Sequence, residues 1–477
     1  MILDTPTRSL RLVLGEAHTT TACDIVACYG QQGPAGTFVT LLSQTASTGV
    51  TPVTLVAAPP VGSQNIIQEV RLHNADTVSH TVTLQLLDSA TTRTIYSGTV
   101  AAACGGVTTI VDYALPEHGQ SIQGSIEAWQ KKAEGKAVID YGLHPVILDP
   151  TQKIIDEMAE AVADGHTSFK LFMIGMARFD ELAAEYLKVI ARAGKAGAIT
   201  NIHAEDQCLI SFLTQQFNAE GKFGVKHFAD SRPRLAEGLA VQRAVTMARY
   251  AEAPIYLVHL SCEEALAPIR EARARGQIVY GETRPIYLHL SRERFEEPDG
   301  ERYLGWPPLR EASQMQAMWD GLRSDNLQTV ATDHCGWNLV QKKKGKTVDE
   351  LLPGMSNLET ILPMLYSEGV GKGRLSIHRF VEVISTNPAK LFGLYPQKGT
   401  IAVGSDADII IFDPKKEVTI RHRDMHSRSD YELHEGFQVT GWPTMTLSRG
   451  EVIVENGKVL GSSGRGKLLR RKRFSVL

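Results

Sequence analysis

Beyond about residue 98, short apolar runs alternate with charged segments of helical spacing, and this alternation constrains the fold more than any other feature of the chain. The strand-like runs lie at 107–112, 137–141, 167–173, 198–203, 255–259, 278–281 and 327–333. Helical spacing with a charged face marks 154–164, 179–193, 235–251 and 263–275. Repeated units of this kind wind a parallel sheet, so the expected class is α/β, a (β/α)8-type TIM barrel. The seven runs are one short of a closed cylinder, which leaves the barrel with unpaired edges unless another segment supplies a substitute strand.

The first part of the chain has a different texture. No Asp, Glu, Lys or Arg stands between Asp24 and Glu69, and β-branched runs at 53–57, 69–73 and 80–87 are separated by Pro59-Pro60 and Asn74-Ala75-Asp76. Residues 1–97 therefore read as an all-β module, 98–398 as the barrel, and 399–477 as a C-terminal β-lobe with a basic tail. In the lobe, 408–412 and 452–457 read as the two arms of a hairpin. The tail carries Arg465, Lys467, Arg470, Arg471, Lys472 and Arg473, and is read as a solvated terminus or a subunit contact rather than a phosphate site. A formal net charge of -3 gives the whole no attraction to nucleic acid or to an anionic membrane. Nor does any stretch approach the roughly 20 apolar residues that span a bilayer. The six cysteines form no Cys-x-x-Cys pair, which argues against a zinc ribbon or redox dithiol and fits reduced thiols in a cytoplasmic protein.

Chemistry concentrates at strand ends. Lys170, His203, His259 and Asp333 each fall at or near the end of a strand-like run, the face where βα-barrels carry their functional groups. An ammonium cannot bind a cation, but a buried lysine with a lowered pKa can react with carbon dioxide to give an anionic carbamate. Lys170 then becomes a carboxylate-like ligand, His203 and His259 offer neutral imidazole nitrogen to an ion such as zinc, and Asp333 binds metal or moves a proton.

Several stretches resemble the cyclic amidohydrolases of the dihydropyrimidinase and hydantoinase family. They are 101–112, 168–173, His203-Ala204-Glu205, 258–262, Tyr280-Gly281-Glu282-Thr283, Thr332-Asp333-His334-Cys335, and 386–395 through 399–408. The resemblance implies a metal-dependent hydrolase that opens hydantoin or dihydropyrimidine rings to N-carbamoyl amino acids, with one or two zinc ions per chain, and a homotetramer. It implies that Lys170 is the carbamylated bridge, that His203 and His259 hold a metal, that Asp333 handles the proton and that Asn357 holds the substrate amide. Arg284 stands near a substrate-contacting position that is normally small. Two further departures are visible. The family's His-x-His, expected just before Ala101-Ala102-Ala103, has no counterpart in 91–100, as if residues 1–97 stood in place of the family's own first strand. A usual tyrosine five residues after the lysine is Gly175 here. The alternative reading is a non-catalytic scaffold protein related to dihydropyrimidinase.

Overall fold

The computed structural model describes residues 97–477, apart from 176 and 177, in full; of residues 1–96 it describes the backbone of seven strands and the start of one helix. The chain divides into two compact units, Met1–Arg93 and Thr94–Leu477. In the first, β1 (Ile2–Leu3), β2 (Ser9–Leu14), β3 (Cys23–Gln32), β4 (Phe38–Ser47), β5 (Val53–Val56), β6 (Gln64–His73) and β7 (Val82–Leu87) form two antiparallel sheets, ordered β1-β6-β3-β4 and β5-β2-β7. The sequence anticipated β5, β6 and β7.

The second unit is built on parallel strands: β8 (Thr109–Ala114), β9 (Asp140–Pro145), β10 (Ser168–Phe172), β11 (Ile199–His203), β12 (Ile255–Leu260), β13 (Val279–Thr283) and β14 (Thr329–Val330). β10 to β14 pair in chain order and β8 pairs with β9; a parallel bridge from Val146 to Lys170 links the two groups. All seven expected runs are thus strands, with ends shifted by no more than four residues. Among the described residues β8 pairs with no strand other than β9, and the chain past β14 adds two isolated parallel bridges, His334 to Met355 and Leu468 to Tyr141 of β9.

The strands form because they are covered on both faces, which selects near-continuous apolar sequence. Every residue of β12 is buried. The outward-facing Phe169 and Leu171 of β10 are 0% exposed, held in the main core by the surrounding helices. One of these helices, Arg234–Ala251, turns Ala240, Val241, Ala244, Val245 and Ala248 inward at three- and four-residue spacing. Its Gly238 is needed for close approach, since an added Cβ would lie 2.8 Å from the Glu264 carbonyl oxygen.

Two expectations are corrected here. Segments 408–412 and 452–457 are not partners: β15 (Ile409–Thr419) pairs with β16 (Gln438–Ser448), which pairs with β17 (Glu451–Glu455), followed by β18 (Lys458–Val459). The sequence reading marked no strand at β16, which contains Gly441 and Pro443, and the ladder accommodates them with irregular register between Ile411 and Glu417. The basic tail is docked along its backbone rather than free, although Lys467, Arg470, Lys472 and Arg473 keep exposed side chains. It runs along the N-terminal ends of the barrel strands, where Leu469 N–H donates to Tyr141 (2.8 Å), Arg471 N–H to Gly165 (3.0 Å) and Phe474 N–H to Gly197 (2.8 Å). Arg471 is only 4% exposed and donates to Ser168 Oγ at 2.7 Å and the Leu143 carbonyl at 2.6 Å. A charge run in sequence does not reveal that its guanidinium has carbonyl and hydroxyl acceptors waiting in the barrel floor.

Candidate functional site

Side chains alternate along a strand, so Ser168, Lys170 and Phe172 of β10 share one face. Register places Lys170 beside Asn201 and Phe172 beside His203. Lys170 is 1% exposed, and its Nζ lies 5.0 Å from the Tyr113 ring centre and 4.7 Å from that of Phe172. Burial lowers its pKa to about 8, against the opposing pull of the Asp333 and Glu282 carboxylates. An ammonium in such a setting gives up its proton far more readily than a surface lysine.

His203 closes β11 and His259 lies near the end of β12, and their rings meet edge to face with centres 4.5 Å apart. The Phe172 ring is 5.7 Å from that of His203, so Lys170 and His203 pack against one phenyl group, with His259 on the far side of the contact with His203. Burial lowers the pKa of both histidines, and His203, Lys170 and Arg284 push His259 down further. Both imidazoles are therefore neutral, the form that ligates a cation. His259 adopts φ +46°, a left-handed conformation uncommon for residues other than glycine and found where surrounding structure holds the backbone. Its Nδ1 is buried with no hydrogen-bond partner among the described residues.

Asp333 follows β14 and also has a left-handed backbone, φ +46°. Here the strand ends earlier than the apolar run 327–333 suggested, because the ladder stops at Val330 and the residues beyond turn across the strand ends. Its side chain is 37% exposed, so it sits at the open side of the cluster. Arg284, 1% exposed, holds it: Nε donates to the Thr332 carbonyl at 2.9 Å, Nη2 to the Asp333 carbonyl at 3.3 Å, and Nη1 lies 3.4 Å from Asp333 Oδ2. Asn357 is 1% exposed; its backbone N–H donates to His334 Nδ1 at 3.2 Å, while its amide oxygen and nitrogen have no partner among the described residues.

Sequence reasoning missed the groups that hold these residues. Glu205 accepts a bidentate pair from Arg232 (3.0 and 2.7 Å) and lies 2.7 Å from His203 Nε2. Burial alone would raise the Glu205 pKa, but Arg232 and His203 outweigh it and hold the carboxyl down to about 2. Glu282 accepts from Tyr256 Oη at 2.6 Å and from the His259 N–H at 3.1 Å, and burial raises it to about 7. Ser261, two residues past His259, is tied to Glu237, which also receives Arg310 at 2.8 Å. The only signal for these partners was a charged residue inside an otherwise apolar run, as at Glu282 and Glu237; which cation meets which carboxylate depends on contacts far apart in the chain.

The donor set suits one borderline divalent cation: two neutral imidazoles, one with an orphaned nitrogen, beside a lysine whose amine is easily freed. Gly175, with φ +75°, brings no side chain to this face, and the Trp306 ring lies 3.5 Å from where its Cβ would be.

A profile of the amidohydrolase family matches residues 73–453. The D-hydantoinase of Ralstonia pickettii is 42% identical over 387 residues, 80% of this chain and 84% of that protein. Among solved structures, the dihydropyrimidinase of Brevibacillus agri superposes with a TM-score of 0.78 at 41% identity, over 80% of this chain and 84% of its own. The L-hydantoinase of Arthrobacter aurescens gives 0.72 at 31% identity, over 79% and 84%.

Proposed function

This chain belongs to the amidohydrolase family, in its hydantoinase and dihydropyrimidinase branch, and from that premise we propose that it hydrolyses the ring amide of hydantoins or dihydropyrimidines through a single zinc ion held by Lys170, His203 and His259. The observation that carries the site assignment is the packing of a buried, easily deprotonated lysine beside two neutral imidazoles at the ends of adjacent strands. Lys170 takes up carbon dioxide as a carbamate and so presents oxygen to the ion. When bound, zinc polarises the substrate carbonyl and lowers the pKa of water. Asp333 Oδ accepts the proton of the attacking water and returns it to the ring nitrogen as the carbon–nitrogen bond breaks. Arg284 fixes the Asp333 backbone and carboxylate, and the free amide of Asn357 pairs with the substrate amide. Residues 91–100 hold no histidine, which favours one catalytic ion over two. The family resemblance further supports a homotetramer, and the free thiols of Cys104, Cys208, Cys262 and Cys335 support a cytoplasmic setting. No helix among the described residues is long and apolar enough to cross a membrane.

The test is ring opening of dihydrouracil and hydantoin by the purified full chain, before and after removal of metal by a chelator. Turnover that disappears with chelation, returns with zinc and is absent in Lys170→Ala supports the assignment. No ion at the barrel mouth and no turnover of either ring would instead favour the scaffold reading.

A further inference from the structure

Among the described residues one group of three His, Cys, Asp or Glu donors lies close enough to hold an ion, and it is not the cluster around Lys170. It comprises Cys104, Glu359 and His426, whose donor atoms all lie within 4.8 Å of one another. We propose that this cluster is a second cation site, binding a thiophilic divalent ion such as zinc or cobalt through sulfur, nitrogen and carboxylate oxygen. The proposal goes beyond the hydrolase reading and does not rest on it.

The three donors come from separate parts of the unit. Cys104 is the last residue of the helix Ala90–Cys104, Glu359 lies just before the helix Ile361–Leu365, and His426 lies between β15 and β16. Their approach is built by close backbone packing. A Cβ on Gly105 would fall 2.5 Å from the Glu359 carbonyl oxygen, so only glycine lets the helix end press against that segment. The Glu359 carboxylate is already oriented: Oε2 accepts the His426 N–H at 2.7 Å and Oε1 lies 2.8 Å from His426 Nδ1. Ser356 and Ser427, flanking the two ligands, join by their hydroxyls at 2.6 Å and hold the segments together. Cys104 and Glu359 are each 4% exposed, whereas the His426 side chain is 29% exposed. The site therefore has one open side, through which an ion can enter and a water can complete tetrahedral coordination.

The electrostatics suit a cation. Cys104 and Glu359 raise the His426 pKa to about 10, so without an ion a proton holds the place between them, while burial raises that of the Cys104 thiol. A bound divalent ion deprotonates a coordinating thiol. Binding then releases two protons, one from the thiol and one from the imidazolium, so affinity rises with pH. A thiolate with one imidazole and one carboxylate selects zinc or cobalt over calcium or magnesium, which prefer oxygen alone.

Cobalt separates this site from the barrel mouth, because Lys170, His203 and His259 offer no sulfur. Titrating cobalt into the metal-free full chain should produce the near-ultraviolet thiolate-to-cobalt charge-transfer band both in Lys170→Ala, where it saturates at one equivalent, and in the wild type, where the barrel mouth takes up a further equivalent without adding to the band. Cys104→Ser should abolish the band, and Glu359→Gln, which keeps the shape of the site, should weaken cobalt binding about ten- to a hundredfold. Absence of the band at saturating cobalt would overturn the proposal, as would its persistence in Cys104→Ser or an unchanged affinity in Glu359→Gln.

Discussion

At the scale of single residues, the site depends on groups whose ordinary chemistry has been altered by burial. Lys170 would be protonated at the surface; at 1% exposure its pKa falls to about 8, within reach of carbamate formation. Lys170→Ala is expected to lower ring-opening kcat/KM by at least about a hundredfold and to release the catalytic ion, checked by steady-state kinetics and metal analysis. Arg284 acts through another residue. Its donors go to Thr332 and Asp333, so Arg284→Ala is expected to reduce kcat by roughly ten- to a hundredfold while KM moves less, because it frees the proton carrier rather than the substrate. A rise in KM with kcat unchanged would instead mean that Arg284 binds substrate directly. Lys170, His203, His259 and Asp333 were legible in sequence because their residue types and places at strand ends are local facts. Nothing local announced that Asp333 is clamped by Arg284, a contact across 49 residues of chain.

At the scale of elements, the strands that carry His203 and His259 are each fastened by a buried ion pair or hydrogen bond just beyond the end. The β11 ligand rests on Glu205 and Arg232, and the residue after β12 on Glu237 and Arg310. Arg232→Met would leave the Glu205 carboxylate buried with its main counter-charge removed, a loss of about 3–5 kcal/mol that thermal or denaturant unfolding would register. The same substitution should weaken metal binding about tenfold through the misplaced His203 ring, read by competition with a zinc-sensitive dye. The barrel strands were readable from their apolar runs, since burial on both faces leaves a strong local signature. β16 was not, because Gly441 and Pro443 resemble a turn and only pairing with β15 and β17 makes that segment a strand.

At the scale of the whole molecule, the second unit is closed from below by its own C-terminus, which reaches five separate places along the chain: Tyr141, Gly165, Gly197, Tyr280 and Gly393. His166 lies beside this seam, 1% exposed, and burial together with the Arg471 and Arg470 charges lowers its pKa from 6.5 to about 4. The unfolded chain therefore binds a proton there before the folded chain does, and stability is lost as pH falls from about 6.5 toward 4. Between about pH 7 and 5 this contributes on the order of 2 kcal/mol, and His166→Gln should flatten the corresponding slope of unfolding free energy against pH. An equal slope in the variant would assign the acid sensitivity to other groups. Sequence by itself determined the βα class of the second unit and the places of Lys170, His203, His259 and Asp333 at or near strand ends, because periodicity and residue type act over a few neighbouring positions. Tertiary structure alone decided where the basic tail lies, which ions pair under the ligands, and that Cys104, Glu359 and His426 meet. Those contacts join residues tens to hundreds of positions apart, and their energies depend on a burial that no short stretch of chain encodes.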